Sequence, residues 1–298
     1  MSFEKLKAGL SRTGPVRVAV AAAEGEEVFQ ALRDACDQGL CTPVLVGNEE
    51  KSRAQAQRAG LKEFEAVAAG SPQEAAELAV LWVREGRAEL IMKGQLSTST
   101  LIKAVLKDKG GVHPGGLLSH LAVFETPGGR LLGLTDSGLN IAPNLEQKLQ
   151  ILRNAVGFFH LLGFEEPRVA VLSAVEVVNP EMPSTLDAAL LAQMGERKQI
   201  QGAAVDGPLS LDLALSPEAC RLKGVGGPVA GKADILLAPD LESGNILGKA
   251  LVLLARFPAG GIVVGALCPI VLLSRCDSAR ERLNSLILGV FHVHHLRH

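Results

Sequence analysis

The sequence has no tyrosine, one tryptophan and only 3% aromatic residues, so it offers no platform on which nucleic-acid bases would stack. It has no excess of either charge: 30 Lys and Arg against 32 Asp and Glu leave a formal charge of −2. That excludes a broad basic surface for nucleic acid, and any anion site must be local. No apolar run reaches the roughly 18 residues of a membrane-spanning helix. The N-terminal MSFEKLKAGL lacks the apolar core of a signal peptide. The expectation is a cytoplasmic protein with neither a membrane nor a nucleic acid as partner. Cys36, Cys41, Cys220, Cys268 and Cys276 form no Cys-x-x-Cys pair, which argues against a structural zinc or a disulfide framework. Cys276 lies beside the anion site proposed below and reads as a bystander. The terminal HVHHLRH has no carboxylate among its histidines and is not taken as a metal site. Neither the complete Gly-x-x-x-x-Gly-Lys-Ser/Thr of a P-loop nor the Gly-x-Gly-x-x-Gly of a dinucleotide fold occurs.

What is present is 47% apolar residues over 298 positions, enough for two domains with proper cores. VRVAVAAA (16–23), TPVLVG (42–47) and AELIMKG (88–94) read as buried strands, separated by segments with helical spacing such as SPQEAAELAVLWVREG. Strand and helix alternate, the pattern of a parallel sheet with helices on both faces. Trp82 falls on the apolar stripe of its helix and reads as core. SHLAVFETPGGRLLGLTDSGLN reads as two strands joined at Pro127-Gly128-Gly129, a hairpin rather than another βαβ unit. A second α/β series follows the helix that begins at Asn144.

The chemistry gathers after strands. In PIVLLSRCDSARERL an apolar strand stops at Ser274-Arg275, and Ser278-x-x-Glu281 is a capping box for a helix starting near Asp277 or Ser278. A serine and an arginine thus stand between a strand end and a helix start, the edge at which open α/β sheets bind anions. The bland alternative is a surface ion pair for Arg275 and a cap for Ser274. AELIMKGQLSTSTLIKAVL repeats the arrangement: Lys93-Gly94, then Ser97, Thr98, Ser99 and Thr100 ahead of a helix. Lysine, glycine and hydroxyls suit phosphate, although hydroxyls at a helix start are also ordinary caps. Further polar strand ends carry Asp136 and Asn140, Ser173 and Ala174, then Asp206, Gly207, Pro208 and Asp212, and finally Asp240.

KGQLSTSTLIKAVL, LTDSGLNIAPNLEQKLQILRNAV, PRVAVLSAVEVVNPEMPSTLDAALLAQM, VDGPLSLDLALS, KADILLAPDLESGNILGKALVLLA and PIVLLSRCDSARERL, in that order over about 88–290, resemble the phosphate acetyltransferase and phosphate butyryltransferase family. The compact length and the Lys-Gly-x-Leu-Ser-Thr segment are more similar to the butyryl branch. The resemblance implies a fold shared with isocitrate and isopropylmalate dehydrogenases: two α/β domains, a cleft between them and a homodimer. The last strands and helix return to the first domain, so that domain is placed at 1–136 and 262–298 and the second at 137–261. It also implies transfer of an acyl group between coenzyme A and inorganic phosphate without a cofactor. The family's serine and arginine match Ser274 and Arg275. Where the butyryl branch often has alanine after that pair, this chain has Cys276.

That chemistry agrees with the residue types. Phosphate is anionic and nucleophilic near neutral pH, so the protein must mainly hold it in line with the thioester carbonyl and stabilise the oxyanion. Arg275 would hold phosphate as a fork and Ser274 would donate to the oxyanion or the departing sulfur. Asp277 or Asp206 would orient these groups or take a proton. Lys93 would offset phosphate charge, and Gly94, Thr98, Asp136, Asn140, Ser173, Ala174, Gly207 and Pro208 would line the substrate site. The competing expectations are an NAD- and metal-dependent dehydrogenase of the same fold, with Asp206, Asp212 and Asp240 as available carboxylates, and a non-catalytic coenzyme-binding protein.

Overall fold

The computed structural model describes residues 1–10, 13–107, 110–274 and 276–296. Two compact units are formed, one from 1–116 with 258–298 and the other from 117–257.

The first unit contains α1 (Phe3–Leu10), β1 (Val16–Ala21), α2 (Glu26–Cys36), β2 (Cys41–Gly47), α3 (Glu49–Ala59), β3 (Glu65–Ala68), α4 (Pro72–Arg84), β4 (Leu90–Lys93) and α5 (Thr98–Val105). The chain returns to it with β10 (Ala259–Val264), β11 (Ile270–Val271) and α11 (Ala279–Leu296). Its strands run in the order β3-β2-β1-β4-β11-β10. All neighbours pair in parallel except β10, which runs antiparallel to β11. Parallel strands covered on both faces need continuous apolar runs, and the VAVA of β1 and LIM of β4 are entirely buried. The segment 49–59 is polar almost throughout, yet it forms α3. Asn48 caps it by accepting from the N–H of Lys51 at 3.0 Å, Gly60 ends it in the left-handed conformation, and Ser52 and Ala56 are its buried residues. Trp82 is in the core as expected, and the Arg87 guanidinium lies 3.6 Å over its ring. Cys36 and Cys41, five residues apart in sequence, bring their sulfurs to 3.8 Å.

The second unit contains β5 (Ser119–Glu125), β6 (Leu131–Thr135), α6 (Leu145–Leu161), β7 (Arg168–Leu172), α7 (Pro183–Glu196), β8 (Ala204–Leu209), α8 (Leu211–Leu215), α9 (Pro217–Lys223), β9 (Ile235–Leu237) and α10 (Leu241–Leu253). Strand order is β5-β6-β9-β7-β8, parallel from β6 to β8, with β5 antiparallel to β6. The β5–β6 hairpin is therefore where the alternating runs placed it. It belongs to this unit, where β6 pairs with β9 through Gly133↔Ile235, Leu134↔Leu236 and Thr135↔Leu237. Gly133 also lets α6 approach, since a Cβ there would lie 2.8 Å from the Phe159 ring. A buried carboxylate anchors the opposite edge: Asp234 is 2% exposed and receives Arg168 Nε at 2.8 Å and Arg130 Nη1 at 3.3 Å. Two cations and the Arg168 N–H at 3.0 Å compensate its desolvation.

Candidate active site

In the first unit the C-terminal ends of the parallel strands carry the candidate residues. β4 and β11 are neighbours in register, Ile91 opposite Ile270 and Met92 opposite Val271. The loops that leave them, Lys93 to Ser97 and Leu272 to Ser278, therefore start side by side at one edge. Gly94 is necessary there: its N–H donates to Ala21 O at 2.8 Å, and a Cβ would fall on the Ala22 carbonyl oxygen. Lys93 is half-buried, and its Nζ donates to Gly94 O at 3.2 Å and Leu96 O at 3.4 Å, so the ammonium is held over its own loop. Ser97 is the cap of α5, accepting from Thr100 N–H at 3.0 Å and lying 2.8 Å from both Ser99 Oγ and Thr100 Oγ1. Thr98 is half-buried in the first turn.

The second loop is a turn closed by its own side chains. Asp277 accepts the Ser274 N–H at 2.8 Å, and Ser274 Oγ accepts the Cys276 N–H at 3.3 Å. The capping box is present as well, with Ser278 N–H to Glu281 at 2.6 Å and Glu281 N–H to Ser278 Oγ at 3.2 Å. Ser274 is exposed. Arg275 lies outside the described residues.

In the second unit the C-terminal edge is built around Asp136, which is 2% exposed. Its carboxylate accepts the N–H groups of Gly138 at 2.8 Å, Leu139 at 3.0 Å and Asn140 at 3.3 Å, together with the Asn140 side-chain amide. With its oxygens so occupied, Asp136 shapes the loop from within. Asn140 is spent likewise, donating also to Leu118 O at 2.8 Å. Ser173 follows β7 and meets Ser184 Oγ at 2.9 Å, and Ala174 is exposed. Asp206, Gly207 and Pro208 lie inside β8, Asp206 level with Ala170 of β7 rather than at the strand end. The Asp206 carboxyl packs on Gly227, where a Cβ would overlap it, and burial pushes its pKa up against the weaker opposing effect of the Gly207 N–H. Asp212 is held low, to about 2, by Ser210 and by Lys223 at 3.0 Å. Asp240 caps α10 through the Ser243 N–H at 2.8 Å.

Two neighbours of Asp136 carried no signal in the sequence. Ser137 is buried, and its Oγ lies 2.9 Å from His120 Nδ1, at the start of strand β5. A single histidine in an alternating strand has no spacing that marks it. Among the described residues no three His, Cys, Asp or Glu side chains come together as a metal site, and no helix is long and apolar enough to cross a membrane.

The family model described as Phosphate acetyl/butaryl transferase matches residues 63–290. A phosphate butyryltransferase of Clostridium acetobutylicum is 46% identical over 276 residues, covering 92% of each chain. A phosphate acetyltransferase of Rhizobium meliloti is 42% identical, covering 97% of this chain and 93% of its own. Among solved structures, a branched-chain phosphotransacylase from Enterococcus faecalis superposes with a TM-score of 0.84 at 34% identity, over 94% of this chain and 99% of its own. A 4-hydroxythreonine-4-phosphate dehydrogenase from Burkholderia phymatum reaches 0.56 at 17% identity over 94% and 98%, which shows a shared dehydrogenase-like α/β fold and nothing of its chemistry. The dehydrogenase reading is accordingly not favoured.

Proposed function

Since this chain belongs to the phosphate acetyl/butaryl transferase family, we propose that its reaction is acyl-CoA + phosphate = acyl phosphate + CoA with butyryl or a similarly short acyl group. It is an acyltransferase working between coenzyme A and phosphate. The single observation that carries the site assignment is the adjacent pair of loops after β4 and β11, one with Lys93, Gly94 and Thr98, the other with Ser274.

Phosphate attacks the thioester carbonyl directly. Its charge makes a strong base unnecessary in this direction, and positioning supplies most of the acceleration. Ser274, exposed at the head of its turn, donates to the oxyanion or the departing sulfur, and Arg275 grips phosphate as a fork. Asp277 orients Ser274 through its backbone. Lys93, Gly94 and Thr98 receive phosphate charge. Within the second unit Ser173, Ala174, Gly207 and Pro208 are the candidate substrate-binding residues, and Asp136 and Asn140 shape the loop after β6. Asp206 is the remaining candidate for proton transfer, its raised pKa being the supporting feature. No cofactor is required by these steps, since the thiolate is an adequate leaving group. We also assign the protein to the cytoplasm and to a homodimer. The helix α10 supports the dimer: Gly244 is its buried residue, while Ile246 and Leu253 are 69% and 60% exposed.

The test is thiol release from a panel of acyl-CoAs with and without phosphate and with chelator, compared with NAD reduction. Release should require phosphate, survive chelator and show a higher kcat/KM for butyryl-CoA than for acetyl-CoA. Each methylene is worth only ~1–3 kcal/mol in such a pocket. Phosphate-independent hydrolysis would remove the reading, and a preference for acetyl-CoA would remove the butyryl assignment alone.

A further inference from the structure

In the first unit α2 and β2 meet at a pair of thiols. Cys36 is the last residue of α2 and Cys41 the first of β2, and their sulfurs lie 3.8 Å apart. The turn between them is tightly bonded: Asp37 N–H donates to Arg33 O at 2.8 Å, Gly39 N–H to Cys36 O at 2.9 Å and Leu40 N–H to Ala35 O at 3.0 Å. Gly39 supplies the left-handed conformation there, at φ 68°. Beyond the turn Leu40 O accepts the Val16 N–H at 3.0 Å, and Cys41 stands opposite Val16 of β1. The backbone therefore holds both thiols in place. Cys41 is buried, whereas Cys36 keeps part of its surface in solvent.

The contact divides the two thiols by role. The Cys41 S–H donates to the Cys36 sulfur, which holds Cys36 below the ordinary thiol value against burial and the Asp37 and Glu63 carboxylates. The same bond, together with burial, holds Cys41 well above that value, and burial alone pushes Cys268 up to about 12. A partly exposed thiolate beside a second thiol is the arrangement that reacts with peroxides and then closes on its neighbour. We propose that Cys36 and Cys41 form a reversible oxidation site whose oxidant is a peroxide, with Cys36 as the attacking thiol and Cys41 as the resolving one. The Cys36 thiolate attacks one peroxide oxygen, the O–O bond breaks, and the hydroxide that leaves takes up the proton Cys36 released on ionising. Cys36 is then a sulfenic acid. The Cys41 sulfur attacks the Cys36 sulfur, the S–O bond breaks, and the departing hydroxide leaves as water with the Cys41 proton. Two thiols and one hydrogen peroxide thus give one disulfide and two waters, as the sulfurs close from 3.8 Å to about 2.05 Å. The site opens β2, at the opposite end of the parallel strands from the loop that carries Lys93, and it does not rest on the acyltransferase reading.

The test maps the wild-type chain after exposure of the folded protein to hydrogen peroxide. Remaining thiols are alkylated in denaturant and the chain is cut after Arg33 and Lys51, which leaves both cysteines on the one peptide 34–51. That peptide should lose both alkylation sites and weigh two hydrogens less than its thiol form, and dithiothreitol should restore both. The same chain unfolded in urea should form the bond at least about tenfold more slowly, because its thiols regain their ordinary pKa of ~8.5. In Cys41→Ser the reaction should stop at the Cys36 sulfenic acid, trapped by dimedone. A 34–51 peptide that stays fully alkylated at peroxide doses that oxidise Cys276 overturns the proposal, as do equal rates in the folded and unfolded chain. A Cys36 that does not react in Cys41→Ser overturns the assignment of the attacking thiol. Should that variant not fold, the wild-type peptide decides by itself.

Discussion

The Ser274 N–H donates to the Asp277 carboxylate at 2.8 Å, so these two residues hold each other in the loop that precedes α11. The Asp277 carboxylate thereby fixes the backbone of the turn at Ser274.

Substituting it separates that role from proton transfer. Asp277→Asn keeps an acceptor for the Ser274 N–H and should lower kcat/KM by less than about 1 kcal/mol, whereas Asp277→Ala should cost ~1–3 kcal/mol by leaving that donor without its partner. If both variants lose equally, Asp277 takes a proton instead. Steady-state kinetics on both decide.

Arg275 is the forked cation of the proposed phosphate site. Arg275→Lys retains charge but loses the parallel pair of hydrogen bonds, and Arg275→Ala loses both. The expected costs are on the order of 2–4 kcal/mol in transition-state stabilisation for alanine and less for lysine, with melting temperatures unchanged. Lowered melting with near-normal kcat would make Arg275 a structural ion pair.

Gly94→Ala tests the loop that follows β4. The added methyl meets the Ala22 carbonyl, and backbone cannot swing aside as a side-chain tip can. A loss of ~1–3 kcal/mol of stability is expected, together with a raised KM for phosphate. A variant as stable and active as wild type would show that the β1 and β4 ends are loosely joined.

Asp206 gives a pH dependence with a definite sign. Its folded pKa is raised above the unfolded 3.8, chiefly by burial. Folding therefore takes up a proton between those two values, and stability falls as pH rises through them. Asp206→Asn should flatten that dependence and raise the melting temperature at pH 7. Unchanged activity in Asp206→Asn would take it out of the chemistry, and a loss of kcat in a stabilised protein would keep it there.

The strands and helices of this chain follow from local patterns. Continuous apolar runs mark β1, β2, β4 and β7, and the Ser278-x-x-Glu281 box announces α11, because burial on two faces and unpaired N–H groups at a helix start select residues over a few positions. The collinear segments from Lys93 to Leu283 carried the family too. Polar α3 escaped detection, its stability coming from caps and two small buried residues rather than an apolar stripe. The membership of the β5–β6 hairpin depended on pairing with β9, about 100 residues away, which no local window contains. The same holds for the site. Asp136 looked like a ligand because it is acidic and follows a strand, and only folding turns four donors onto it. Asp206 looked like a strand end, and the β7–β8 register puts it level with Ala170. His120 and Ser137, 17 residues apart, become partners only because the hairpin folds one strand back along the other, and hydrogen bonds act over about 3 Å of space whatever the distance along the chain.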